Sequence, residues 1–176
     1  MSRVITFNRK YPAYHPRKEE STYFVEKILN GLEKQRSWDY FLVLNKELPT
    51  EILSKFCVKY NHEENSIKSH TIRAGRLWKV GDKFSPRVWS GQPYKSKQVI
   101  IHPDIEIKKT WEFEIDNGVL VLNNEYEFWG GELQDHKLLK EISKNDGLRP
   151  EDLLDWFKYP KPFDGQIICW NENIEY

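Results

Sequence analysis

The sequence predicts an α+β fold in which a small barrel-like sheet is flanked by helices. Three observations carry that prediction. Between residues 69 and 122, β-branched and aromatic residues recur in short runs separated by turn residues. Before and after this block, apolar residues take helical spacing instead. The length of 176 residues suits one domain with its own core better than two.

The elements follow in order. Residues 4–8 read as a first strand. Tyr11-Pro12-Ala13-Tyr14-His15-Pro16 reads as a rigid, extended loop, because each proline drives the preceding residue out of the helical region. Ser21 or Thr22 supplies a cap for a helix running to about Leu32, with Ile28, Leu29 and Leu32 apolar and Gly31 near its stop. A second helix starts at Pro49, using proline's tolerance for the first turn, and carries Ile52, Leu53, Phe56 and Tyr60 on one side. Residues 61–66 form a polar loop.

Strands are predicted over 83–89, 97–101, 105–115 and 119–122. Their separators are Gly91-Gln92-Pro93, His102-Pro103-Asp104 and Asp116-Asn117-Gly118, the last being the best hairpin signal in the chain. Asp135 caps a further helix with Leu138, Leu139 and Ile142, which Gly147 ends. Pro150-Glu151-Asp152 starts another through Phe157, with acids where the helix dipole favours them. Pro160 and Pro162 stop it, and residues 165–170 supply a final strand.

Lysine plus arginine and aspartate plus glutamate both number 27. A neutral chain is a poor duplex-coating protein, because non-specific nucleic-acid binding rests largely on positive charge. Neutrality leaves room for a pocket that takes one nucleotide. The 7 Trp, 9 Tyr and 9 Phe suit a core of large side chains, and equally a pocket that stacks on planar rings. Cys57 and Cys169 are the only cysteines, and nothing demands a disulfide between them. Cys169, within Ile167-Ile168-Cys169-Trp170, reads as a small buried hydrophobe. The five histidines show no metal-ligand spacing, so neither a metal nor a cofactor is predicted. No run of about 18 apolar residues reads as a membrane span, and no leader pattern opens the chain; a cytoplasmic protein is expected.

One stretch concentrates reactive side chains, Lys68-Ser69-His70-Thr71-Ile72-Arg73, followed by Trp78-Lys79-Val80-Gly81-Asp82-Lys83. On an extended segment Thr71 and Arg73 project to one side. A bend after Lys68 lets its amine reach the Thr71 hydroxyl, a pattern for an amine-activated nucleophile beside an anion- or carbonyl-binding fork. A lysine acts as a base only when burial or neighbouring cations lower its pKa. The plain alternatives are an exposed lysine, a threonine chosen for strand propensity and a surface ion-pair arginine. Asn145-Asp146-Gly147 is the second candidate, where Asp146 either solvates a turn or orients Lys68. Glu26 is a further carboxylate able to point inward. Phosphate-loop, dinucleotide, GxSxG and HExxH signatures are absent.

Taken in order, Ile5-Thr6-Phe7, Lys68-Ser69-His70-Thr71-Ile72-Arg73, Trp78-Lys79-Val80-Gly81-Asp82, Asn145-Asp146-Gly147-Leu148 and Phe163-Asp164-Gly165-Gln166-Ile167-Ile168 resemble the ASCH-domain proteins. The resemblance implies a PUA-like fold, a small mixed β-barrel with flanking helices, as one domain over 1–176, with residues 33–65 as an elaboration. Small bacterial members hydrolyse N-acetylcytidine with a lysine, a threonine and a glutamate. Others are described only as RNA-binding or coactivator-related modules, and a ribonuclease activity has been attached to some. By motif position, the resemblance implies Lys68 and Thr71 as catalytic residues, with the glutamate position on or beside Asp146, and Arg73 as the motif's arginine; Arg73, with His70 and Trp78 from the same segments, is expected to bind substrate. Asp146 departs from the family's glutamate by one methylene. The implied partner is RNA, a nucleoside or a modified nucleobase, which the protein either hydrolyses or only binds; a protein-interaction module is the remaining alternative.

Overall fold

The computed structural model describes residues 3–32, 34–56, 66–116, 119–128, 136–158 and 162–176, without the side chains of 34, 35 and 126–128. Within them the fold is α+β. In chain order come β1 (Arg3–Phe7), α1 (Phe24–Gly31), α2 (Lys34–Leu44), α3 (Thr50–Leu53), β2 (His70–Ala74), β3 (Lys83–Trp89) and β4 (Gln98–Ile100). After them come β5 (Ile105–Glu106), β6 (Lys109–Asp116), β7 (Val119–Leu122), β8 (Glu125–Phe128), α4 (Lys137–Asp146), α5 (Pro150–Trp156) and β9 (Phe163–Cys169).

The strands build two sheets. In the first, β1 lies parallel to β3, whose other edge pairs with β4 and, at its opposite end, with β5. The second is antiparallel in the order β2-β9-β6-β7-β8, with β9 bonded along both edges. Among the described strands the two sheets do not close into one barrel. They meet across a shared core, where Trp170 packs against Phe7 and Phe84 at ring separations of 6.4 and 5.8 Å. No described helix is long and apolar enough to cross a membrane.

Several elements depart from the sequence reading, each for a local reason. The predicted strand over 105–115 is two strands. Ile107 donates its N–H to Asp82 in the first sheet, and Lys108 donates to Cys169 in the second. The chain therefore turns a corner between sheets at Ile107-Lys108. The proline loop after Lys10 is a chain of tight turns rather than extended, with His15, Lys18 and Glu20 each donating three residues back. It is anchored because His15, 2% exposed, reaches the Asp152 carbonyl. Tyr23, in a left-handed conformation, precedes α1, and the Thr22 hydroxyl accepts from Phe24 N–H.

Helix α2 and strand β8 have no counterpart in the prediction. Strand β8 follows Asn123 and Asn124, both at positive φ (50° and 65°), the backbone a two-residue hairpin turn requires. Helix α2 buries Phe41 fully and is followed by Asn45, whose amide accepts from Ile100 N–H and donates to Ile100 C=O. That side chain takes the place of a neighbouring strand on β4, so the turn after α2 covers a sheet edge. Helix α3 is shorter than predicted from Pro49. Tyr60 and Cys57, the Asn117-Gly118 turn and the Asp135 cap lie outside the described residues, although β6 and β7 do pair with Asp116 opposite Val119. Cys169 is a free, fully buried thiol whose Sγ meets the Ser69 and Asn171 carbonyl oxygens.

Candidate functional site

Residues 66–69 thread between the ends of two helices. Lys68 N–H donates to the Lys27 carbonyl of α1, and Ser69 N–H to the Asn145 carbonyl in the last turn of α4. This pins Lys68 where α4 stops. Asp146 is the last residue of that helix, and Gly147 ends it in the left-handed conformation (φ 73°) that glycine adopts without strain. The Lys68 Nζ then donates to Asp146 Oδ1 at 2.6 Å and to the Asp146 carbonyl at 2.8 Å. One residue therefore binds the ammonium through side chain and main chain together. The ammonium also lies 4.2 Å from the centre of the Phe24 ring.

From Lys68 the chain enters β2, where alternation turns Thr71 and Arg73 toward the same side. Arg73 donates to the Thr6 carbonyl of β1 at 2.9 Å and sits over the Phe7 ring. Its Nε is enclosed and meets no acceptor among the described residues. Lys68, Thr71, Arg73 and Asp146 together line one cavity of about 70 Å³. Four rings, Phe7, Phe24, and Trp156 and Phe157 at the end of α5, complete the lining with Thr6, Asn8 and Ile72.

The electrostatics follow from burial. Lys68, 1% exposed, has its pKa pushed down to about 8 by desolvation; Arg73 and Lys27 act in the same direction and Asp146 against it. Arg73 falls to about 10 for the same cause and stays charged at neutral pH. Burial raises the Asp146 carboxyl above the usual range, while Lys68, Arg73 and Lys27 hold it down. Two cations thus face one carboxylate, leaving the cavity a surplus of positive charge and an unpaired donor. A buried donor without an acceptor costs about 1–3 kcal/mol. At about 70 Å³ the cavity is small and admits a polar group such as a carbonyl or carboxylate.

Two residues expected to bind substrate stand elsewhere. His70 points to the other side of β2, where Nε2 donates to the Ile142 carbonyl and Nδ1 faces the Tyr176 hydroxyl. Burial, then Lys68, depresses its pKa well below the usual value, so it is neutral. It braces α4 from behind, 3.7 Å from Asp146 Oδ1, and does not line the cavity. Trp78 lies under the Arg3 guanidinium at 3.9 Å, its backbone N–H and C=O both bonded to the Gln166 amide. It is a brace between the sheets. Glu26 is buried, with its pKa raised by desolvation, but it too lies outside the cavity lining.

The aromatic walls were missing from the sequence reading. Their only signal was the abundance of aromatic residues, which does not say which rings face a ligand. Lys27 was missing as well. It donates to the Gly147 carbonyl at 2.7 Å behind the Lys68–Asp146 pair, with a pKa lowered by burial to about 8.

No family model, curated protein or solved structure matches the chain.

Proposed function

We propose that this protein is an ASCH-like, PUA-like domain that binds a nucleobase or modified nucleoside bearing a carbonyl group. The single observation that carries the reading is the convergence of Lys68, Thr71, Arg73 and Asp146 on one aromatic-walled cavity with surplus positive charge. The carbonyl oxygen enters the cavity toward Lys68 Nζ and Arg73 Nε. The ring packs against the aromatic walls, Phe7, Phe24, Trp156 and Phe157. The order of the sequence motifs supports the family reading. The cytoplasm is the expected place of action.

A second reading, hydrolysis of an N-acylated base, is favoured by the lowered pKa of Lys68 beside Thr71. Neutral Lys68 takes the Thr71 hydroxyl proton as Oγ1 bonds to the acyl carbon, and Arg73 faces the resulting oxyanion. The carbon–nitrogen bond then breaks, with the leaving nitrogen receiving the proton from Lys68. Water cleaves the threonyl ester, releasing the acid and restoring Thr71. At pH 7 a lysine of pKa about 8 is neutral in roughly one molecule in ten, enough for a base but not for full rate.

The test titrates the purified protein with N-acetylcytidine and with cytidine, following tryptophan fluorescence and cytidine release. Binding of N-acetylcytidine in preference to cytidine supports the pocket, and its absence refutes it. Cytidine release that disappears in Lys68→Ala, and rises with pH through about 8, supports hydrolysis. Binding with no release leaves a reader of the acylated base.

A further inference from the structure

We propose that a second pocket, beside the turn from α4 into α5, binds the carboxylate of a small organic acid between Lys27 and Arg17. The inference goes beyond the base-binding reading, because this pocket shares no lining residue with the smaller cavity. It opens between the loop leading into α1 and the residues that join α4 to α5, and its volume is about 510 Å³. Pockets of that size take small organic molecules.

Its charge is unbalanced. Three cations, Arg17, Lys27 and Arg149, line it against two acids, Glu20 and Asp152. Buried Asp152 gathers both guanidiniums onto one oxygen, accepting from Arg17 Nη1 at 2.7 Å and from Arg149 Nε at 3.0 Å. Lys27 is the cation left over. Its Nζ donates to the Gly147 carbonyl, which takes one of an ammonium's three donors, and no carboxylate among the described residues forms an ion pair with it. Burial lowers its pKa and Arg17 adds to the effect, so the two cations stand near one another.

The fork of Arg17 already holds a carboxylate, one of the chain's own. Its Nε and Nη2 both donate to Glu20 Oε2, at 2.8 and 2.6 Å. Glu20 is exposed, and an exposed pair of this kind is weak enough to give way to another anion. An arriving carboxylate takes Glu20's place on the fork and turns its other oxygen to Lys27. Displaced, Glu20 stays at the rim, so the local excess remains one positive charge, which suits a carboxylate better than a doubly charged phosphate. Tyr11 and Tyr23 border the pocket beside these anchors and give the acid's body aromatic neighbours. Tyr23 does so from a left-handed backbone (φ 54°), uncommon for a side chain of this size.

The test titrates benzoate, benzamide and phenyl phosphate into the purified protein by calorimetry. Benzoate should bind most tightly, with benzamide, which keeps the ring and lacks the charge, about tenfold weaker or worse. Glu20→Gln removes the competing carboxylate and should tighten benzoate about threefold. Lys27→Met should weaken it about tenfold or more. Thr71→Val, in the smaller cavity, should leave it unchanged. Absence of benzoate binding overturns the proposal, as does benzamide or phenyl phosphate binding as tightly as benzoate. Benzoate affinity in Glu20→Gln equal to wild type or lower also overturns it. A loss in Thr71→Val places the acid in the smaller cavity and overturns it too. Glu20 is on the surface, so its variant keeps the core intact and decides the matter even where Lys27→Met does not fold. None of these readings uses a nucleoside, so failure of the base-binding pocket is a separate outcome.

Discussion

Asp146→Asn removes the carboxylate facing Lys68 while keeping the side chain's size and one acceptor oxygen. The pair lies at 2.6 Å with both side chains buried, 1% and 8% exposed. Breaking a buried ion pair by removing one partner costs about 3–5 kcal/mol, since the other charge is left uncompensated. The Asp146 main-chain carbonyl would still accept from Lys68, and the new amide oxygen could replace the carboxylate as acceptor, which places the expected loss at the low end, about 3 kcal/mol. For a chain of this length, that corresponds to a fall in Tm of roughly 6–12 °C. The same change should move the Lys68 pKa. An adjacent opposite charge is worth about 1–3 in pKa, so Lys68 would fall from about 8 toward ~6 and be largely neutral at pH 7. Thermal melts at pH 7 and NMR titration of the lysine side chains read the two effects independently. A Tm within about 2 °C of wild type, or an unmoved Lys68 titration, would refute the buried-pair account.

Stability should rise with pH between about 8 and 10. Lys68 and Lys27 both have folded pKa values near 8, below the unfolded value of 10.5, so their protonated forms disfavour the folded state and that penalty lifts as pH passes 8. The gain, up to roughly 2–3 kcal/mol from Lys68, should show in urea midpoints and shrink by about half in Lys68→Met, where Lys27 still titrates. Gly147→Ala should cost at least ~1 kcal/mol in a denaturant midpoint for its left-handed backbone. Its added methyl would also meet Lys27 Cδ at 3.0 Å and the Ile67 carbonyl oxygen at 3.3 Å, so the titration of Lys27 should shift. Tyr176→Phe removes the hydroxyl that joins His70 Nδ1 to the Asn145 amide and should cost about 1 kcal/mol while leaving ligand affinity within twofold. A larger affinity loss would mean that His70 positions Asp146 more tightly than its distance suggests.

The α+β class was legible because its signals are local. Asn145-Asp146-Gly147 gave a helix end, Pro150-Glu151-Asp152 a helix start, and residues 83–89 a strand, all where the structure has them. The sheet corner at Ile107-Lys108 was not legible, since β-propensity does not record which strand a residue bonds to. Helix α2 escaped because residues 42–44 expose Leu, Val and Leu to solvent, which blurs the helical stripe. In the site, the alternation that puts Thr71 and Arg73 on one side of β2 could be read from the sequence. That Asp146 would lie within 2.6 Å of Lys68 could not, because it depends on where α4 stops against residues 66–69. His70 and Trp78 were drawn into the site by adjacency in sequence, and strand alternation sends His70 the other way.

Strand β2 pairs only with β9 among the described strands, and Ser69 is joined to Cys169 across 100 residues. This gives assembly of the cavity a timetable. On a ribosome adding about 5–20 residues each second, Lys68 waits roughly 5–20 s for the strand that holds its segment in place. Until then its amine is open to solvent and ordinary in reactivity, and no partial chain ending before β9 can offer the walled cavity. Amine labelling of stalled chains should therefore modify Lys68 in every length that stops short of β9 and spare it once the second sheet has closed over it.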